Sequence, residues 1–207
     1  PEHLAKLGKA AAQKDSAFSL EDRVGLVSDA FTLAQAGYSK TSGGLTLMHA
    51  LRGDNSSLVN TAAALNLGKL ASVWWEQPQS VRDGINRFRA DVFGPMAREL
   101  TFEFGANDSS ELRELRETVI TAAASAGDTW TLDEIRRRFA PLQEHGDYSL
   151  IHPDLLRTVL SQAVKHGGEA EYETVMGVYR APPTPAHKTS AMVALGTTQN
   201  AALIQRT

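Results

Sequence analysis

Six histidines are the first candidates for chemistry in this chain: His3, His49, His145, His152, His166 and His187. A catalytic zinc takes three protein ligands and an activating base, which on a helix shows as two histidines four apart with a glutamate after the first. No pair here has that spacing. His145 and His152 flank one loop and could share a metal only through a fold-back, so both read as surface histidines. The chain has no cysteine, which excludes thiolate ligands and disulfides. It has no Gly-x-Ser-x-Gly elbow and no glycine-rich loop ending in lysine. Ser42-Gly43-Gly44 lacks both the lysine and a preceding strand, and reads as a turn. The carboxylates Glu21-Asp22 and Glu111/Glu114 fall at helix starts, where they complement the helix dipole. An all-helical enzyme built from scattered residues would need a pocket gathering His145, His152 and nearby carboxylates.

Two further runs could bind rather than react. Arg136-Arg137-Arg138 is the densest basic run. It could meet phosphate or an acidic peptide, but with Asp133 and Glu134 beside it a solvated helix face is the favoured reading. Trp74 and Trp75 cannot both point inward, because helical neighbours diverge by about 100°. One belongs to the core and the other to a surface or interface.

These residues are carried on helices. Ser19–Gly37 organises the chain: Leu20, Val24, Val27, Phe31 and Ala34 share one face, and Leu26, Ala30 and Leu33 form a second stripe beside it. Ser19 with Asp22 predicts a reciprocal cap, and Gly37 a left-handed stop. Before it, Pro1–Gln13 reads as a short helix with Leu4 and Leu7 inward, then a polar turn at Lys14–Ser16. After it come a loop at Tyr38–Gly44, a short helix with Leu45, Met48 and Leu51 on one side, and a turn at Gly53–Ser57.

A helix from about Leu58 to Trp75 offers Ala62, Leu65, Leu67, Leu70 and Trp74 for burial. Pro78 opens the next, which carries Val81, Ile85, Phe88, Val92, Met96 and Leu100. Gly94-Pro95 predicts a kink or break in it. Beyond a loop at Gly105–Ser110, Leu112, Leu115, Val119 and Ala122 mark a helix ending near Gly127. Thr131 with Glu134 reads as a capping box for the following one, which holds Leu132, Ile135 and Phe139. Past the loop Glu144–Tyr148, a helix with Leu156, Val159, Leu160 and Ala163 stops at Gly167-Gly168. Its antiparallel partner carries Tyr172, Val175, Met176 and Tyr179. Thr184-Pro185 opens another that ends at Gly196, and Thr198 caps the last.

No stretch alternates as a strand does. Roughly ten helices with short connections predict an all-α fold, a right-handed α-solenoid of antiparallel helix pairs of the armadillo or HEAT kind, in a single domain over residues 1–207. The net charge is −3, unlike the basic surface that nucleic acid requires. Hydrophobic residues are 42% of the chain, enough for a core. The apolar runs are too short for a membrane span or a secretory signal, which points to a cytoplasmic chain. A start at Pro1 suggests a mid-chain cut or a processed end.

Arg23 to Leu33, Phe93-Gly-Pro-Met, Leu115-Arg116, Pro153 to Arg157 with Gly167-Gly168 and Tyr172, and Ala194-Leu195-Gly196 together resemble, in order, the C-terminal helical domain of gluzincin zinc aminopeptidases, the aminopeptidase N and endoplasmic-reticulum aminopeptidase family. Arg23, Leu26, Val27, Asp29, Ala30, Phe31 and Leu33 match its Arg–aliphatic pair–Asp-Ala-Phe–Leu pattern. Phe93-Gly-Pro-Met resembles its proline-kinked helix. Leu115-Arg116, with an alanine-rich run to Gly127-Asp128, is similar to its Leu-Arg helix ending in Gly-Asp. Pro153 to Arg157, Gly167-Gly168 and Tyr172 resemble its Pro-x-x-x-Arg, Gly-Gly and aromatic stretch, with tyrosine in place of the usual tryptophan. Ala194-Leu195-Gly196 matches a late Ala-Leu-Gly.

The resemblance implies a fragment of a non-catalytic domain that covers the active site and shapes the peptide chamber. It implies zinc only in a parent catalytic domain, no cofactor in this chain, and partners consisting of that catalytic domain and a peptide substrate, with neither nucleic acid nor membrane. The family's zinc motif and its Gly-x-Met-x-Asn loop are not in this sequence. Arg23, Asp29, Trp75, Arg116 and Arg157 are the candidates for peptide or domain contact, and none is a candidate for catalysis. The alternative is a free-standing α-solenoid that binds a protein or peptide and carries an acquired activity.

Overall fold

The structure, a computed structural model, describes residues 2–13 and 15–206. The expected starts of the first helix at Pro1 and of the polar turn at Lys14 lie outside the described residues. The described residues form eleven α-helices and one 3-10 turn, with no strand among them. The all-α expectation holds, and the helix-on-helix packing within each unit is compatible with an α-solenoid. Two compact units gather these helices: Pro1–Thr101 with Asn107–Ala126, and Phe102–Ala106 with Gly127–Thr207.

The first unit contains α1 (Glu2–Ala11), α2 (Leu20–Gln35), α3 (Thr41–Leu51), α4 (Ser57–Val73), α5 (Gln79–Leu100) and α6 (Ser110–Ala126). α3 packs on α1 and α2, α4 on α2 and α6, and α5 on α6. Val27, Leu47, Leu67, Phe93, Val119 and Ile120 are sealed at its centre.

α2 forms as its spacing predicts. Ser19 Oγ accepts from the Asp22 amide at 3.1 Å, and Asp22 Oδ2 accepts from the Ser19 amide at 2.9 Å. At the other end the Tyr38 amide reaches back to the Leu33 carbonyl, with Gly37 at φ +80°. This six-to-one closure needs a left-handed residue, which glycine adopts without a Cβ clash. Ser19→Ala is expected to cost about 1 kcal/mol, read as a fall of about 2–4 °C in a thermal melt.

Several expectations fail in this unit for packing reasons. α1 turns Gly8 and Ala11 inward, while Leu7 stays 37% exposed. A Cβ on Gly8 would lie 2.8 Å from Ala50 Cβ, so only a small-residue face allows α1 this close to α3. Ser42-Gly43-Gly44 is the first turn of α3 rather than a loop. Gly44 sits under the Phe31 ring, where a Cβ would approach to 3.2 Å, and this burial offsets the low helix propensity of the glycines. Of the kink or break expected at Pro95, the break does not occur, because α5 continues as one helix through the proline. One lost backbone bond is outweighed by Val92, Phe93, Met96 and Ala97, all buried on either side of the proline. On α4 the buried face is Val59, Ala63 and Leu67, at four-residue steps. Leu65 lies two residues from Leu67, about 200° around the helix, and is exposed.

The second unit contains α7 (Thr129–His145), the 3-10 turn Pro153–Leu155, α8 (Leu156–His166), α9 (Glu169–Arg180), α10 (Pro185–Leu195) and α11 (Ala201–Ile204). α8 packs on α7, α9 and α10, and α9 on α7 and α10. Ile135, Leu155, Val159, Leu160, Tyr172 and Val175 form its core. α7 starts before the expected box. Asp128 is its cap, accepting from both the amide and the hydroxyl of Thr131 at 3.0 and 2.7 Å. Aspartate after a left-handed Gly127 can reach two donors, so it takes the role assigned to Thr131. Thr184 caps α10 as expected. The last helix is capped by Asn200, whose amide in turn donates to the Thr198 hydroxyl.

Candidate contact surfaces

The structure divides the five expected contact residues into two kinds. Arg23 and Arg116 are internal ties. Arg23 Nε lies 3.0 Å from Asp54 Oδ2, so α2 is fastened to the turn between α3 and α4. Arg23 turns to Asp54 rather than to Asp29, which is exposed on the same helix. The Arg116 side chain is only 6% exposed. It donates from Nε to the Leu100 carbonyl at 3.0 Å and from Nη1 to Asp108 Oδ2 at 2.7 Å. The end of α5 and the loop before α6 are thereby held to α6. The others face solvent: Trp75 is 66% exposed in the turn after α4, and Arg157 is exposed on α8.

Trp74, the half-buried member of the tryptophan pair, lines a groove of about 430 Å³ formed by α2, α3 and α4. Phe31, Ala34, Leu70 and Val73 complete its apolar lining. Gln35, Thr41, Asn66 and Lys69 supply its polar atoms, and Lys69 is the one charged residue in the lining among the described residues. An aromatic and aliphatic floor beside a lone ammonium can seat an apolar side chain next to an acceptor or anionic group. Phe31, Asn66, Lys69, Val73 and Trp74 were not singled out together from the sequence. Their signal was available in the three- and four-residue steps along α4, one helix face away from the core stripe.

The basic run is split by burial. Arg136 pairs with Asp133, and Arg137 donates to Glu134 at 2.8 Å, so these two lie on a solvated face as expected. The Arg137 hydrogen bond holds Glu134 below the ordinary carboxylate range, with the Arg137 and Arg138 charges adding to it against the cost of burial. Arg138 departs from the expectation. Its side chain is 6% exposed, and its guanidinium carbon sits 4.8 Å from the centre of the Phe102 ring.

The two loop histidines are not brought to a common site. His145 is exposed beside Glu144, whereas His152 stacks flat on Phe104 with ring centres 3.6 Å apart. His152 Nδ1 accepts from the Asp154 amide at 3.2 Å. Among the described residues no three histidines, aspartates or glutamates gather as a metal would require. The donor set for a catalytic zinc is therefore not assembled by them. Among the described residues, no helix is long and apolar enough to cross a membrane.

Comparison with known proteins fits this all-helical chain. A family model, the ERAP1-like C-terminal domain, matches residues 1–207. The chain is 30% identical, over its full length, to the alanine/arginine aminopeptidase of Saccharomyces cerevisiae, of which it covers 24%. It is also 30% identical, again over its full length, to the same yeast's mitochondrial aminopeptidase 2, of which it covers 21%. Aminopeptidase 2 of Candida albicans is 29% identical over 95% of the chain, which covers 21% of that protein. The chain thus spans less than a quarter of the length of these relatives. With its whole length matched and its fold entirely helical, the chain belongs to the ERAP1-like C-terminal domain family of aminopeptidases.

Proposed function

We propose that this chain is the non-catalytic helical part of a zinc aminopeptidase, where it covers the active site and shapes the chamber that receives the peptide. The observation that carries this reading is the full-length match to a C-terminal domain, combined with coverage of only 21–24% of relatives named as aminopeptidases. Zinc, held elsewhere in such an enzyme, would supply the activated water for hydrolysis. This chain would supply walls. Its partners would be the catalytic domain of the same enzyme and a peptide substrate. The α2–α4 groove offers an apolar seat for a side chain, and Asp29, Trp75 and Arg157 offer exposed contacts. Arg23 and Arg116 would act at one remove, by fixing the helices that carry such a surface.

The purified chain is expected to release no naphthylamine from aminoacyl-naphthylamides and to hold no stoichiometric zinc by elemental analysis. Robust turnover abolished by a chelator would overturn the reading. In an intact enzyme, the same turnover is expected to depend on residues outside this chain.

A further inference from the structure

Between α5 and α6 the chain makes a five-residue excursion. It leaves the first unit at Thr101, spends Phe102–Ala106 in the second, and rejoins the first at Asn107. Two aromatic side chains anchor the excursion. Phe102 is 4% exposed and lies 6.1 Å from the Trp130 ring, tilted by 55°. Phe104 lies flat on His152. Between them Glu103, itself 77% exposed, reaches in so that its Oε1 accepts from Arg138 Nη2 at 2.6 Å.

Arg138 is an uneasy occupant of this site. Its guanidinium is covered by Phe102, and Glu134 stands 3.5 Å away as a second carboxylate. Its Nε atom is buried with no hydrogen bond. A guanidinium loses strong hydration when it is buried, and an orphaned N–H recovers nothing in exchange. Lifting Phe102–Ala106 away would return Arg138 to water. It would also free Thr101, held at φ 54° and ψ 178°, a backbone region that a β-branched residue occupies only under strain. Aromatic burial and the Glu103–Arg138 ion pair thus help to close the segment, while a buried charge and a strained backbone residue press it open.

We propose that Phe102–Ala106 is a releasable clasp, closed by the Glu103–Arg138 ion pair and opened by rehydration of the Arg138 guanidinium. The clasp is a conformational device set in the second unit, and it does not depend on the aminopeptidase reading. Its signature is an opposite response of the two partners. Glu103→Ala leaves the buried guanidinium less well paired, so the clasp opens more often. Arg138→Met removes the buried charge, keeps an apolar side chain against Phe102, and sacrifices little at the exposed Glu103, so the clasp opens less often.

Chymotryptic cleavage after Phe102 and Phe104 in the native chain reads the open population. Each rate is divided by that of the same variant unfolded in urea, which cancels any change in the cleavage sequence itself. Glu103→Ala is expected to raise the ratio by about tenfold, the scale of a charge-assisted hydrogen bond. Arg138→Met is expected to lower it several-fold, and cleavage after the core residues Phe139 and Tyr172 is expected to stay constant in both. Faster cleavage in both variants would make Arg138 a plain structural support and overturn the proposal. So would unchanged ratios, or a rise that merely tracks cleavage after Phe139 and Tyr172.

Discussion

Asp108→Ala is expected to destabilise the chain by about 3 kcal/mol, the lower end of the cost of stripping the partner from a buried ion. Asp108 stands before α6, and its Oδ2 lies 2.7 Å from Arg116 Nη1. Arg116 itself is 5% exposed as a residue, so water cannot replace a missing carboxylate without opening the helix packing. Asp108 is 17% exposed, which admits some solvent and keeps the expected cost at that lower end. For a chain of this length each kcal/mol moves the melting midpoint by about 2–4 °C, so the shift is large enough for a single circular-dichroism melt. Arg116→Met is the informative comparison. It removes the charge along with its demand for a partner, and is expected to cost less than Asp108→Ala. A loss below about 1 kcal/mol for Asp108→Ala would mean that the pair behaves as a surface ion pair and does not hold α6 to the end of α5.

What could be read from the sequence, and what could not, follows the range of the interactions involved. The cap of α2 involves residues three apart, and its glycine stop closes over six, so both follow from local chemistry. The helix at Ser42-Gly43-Gly44 does not. Two glycines in a row argue for a turn until the Phe31 ring, thirteen residues earlier, is known to rest on Gly44. Leu7 reads as core by hydropathy, yet the Gly8 and Ala11 face wins because α3 approaches too closely for larger side chains. The same limit governs the contact surfaces. Arg136, Arg137 and Arg138 are indistinguishable as letters. Only the return of Phe102 and Glu103 from 35 residues away makes Arg138 a buried residue and its neighbours a solvated face. The α4 helix was legible, but its buried face was read at Ala62 and Leu65 where Val59 and Ala63 are buried, and the half-covered groove beside it depends on where α2 and α3 stop.

Tyr172→Ala carries the other large expected loss, about 3–5 kcal/mol, the range for truncating a buried aromatic. Tyr172 is fully buried on α9, with Val175 and Val178 beside it on the same helix. Its ring is roofed by Arg206, whose guanidinium carbon lies 5.6 Å from the ring centre. That roof is tied down in turn, since Arg206 donates to Glu169 at 3.0 Å and also to Glu173. Truncation therefore leaves a cavity where a fully buried ring stood and also removes the face on which Arg206 lies. Tyr172→Trp asks the complementary question, because tryptophan is the aromatic that the family resemblance leads one to expect here. With the site already closed to solvent, the larger ring must displace its neighbours, and the expected cost is about 1–3 kcal/mol. Urea unfolding measures both. If Tyr172→Trp is instead neutral or stabilising, the site has room that the tyrosine does not fill, and α9 can shift to accept the family's residue.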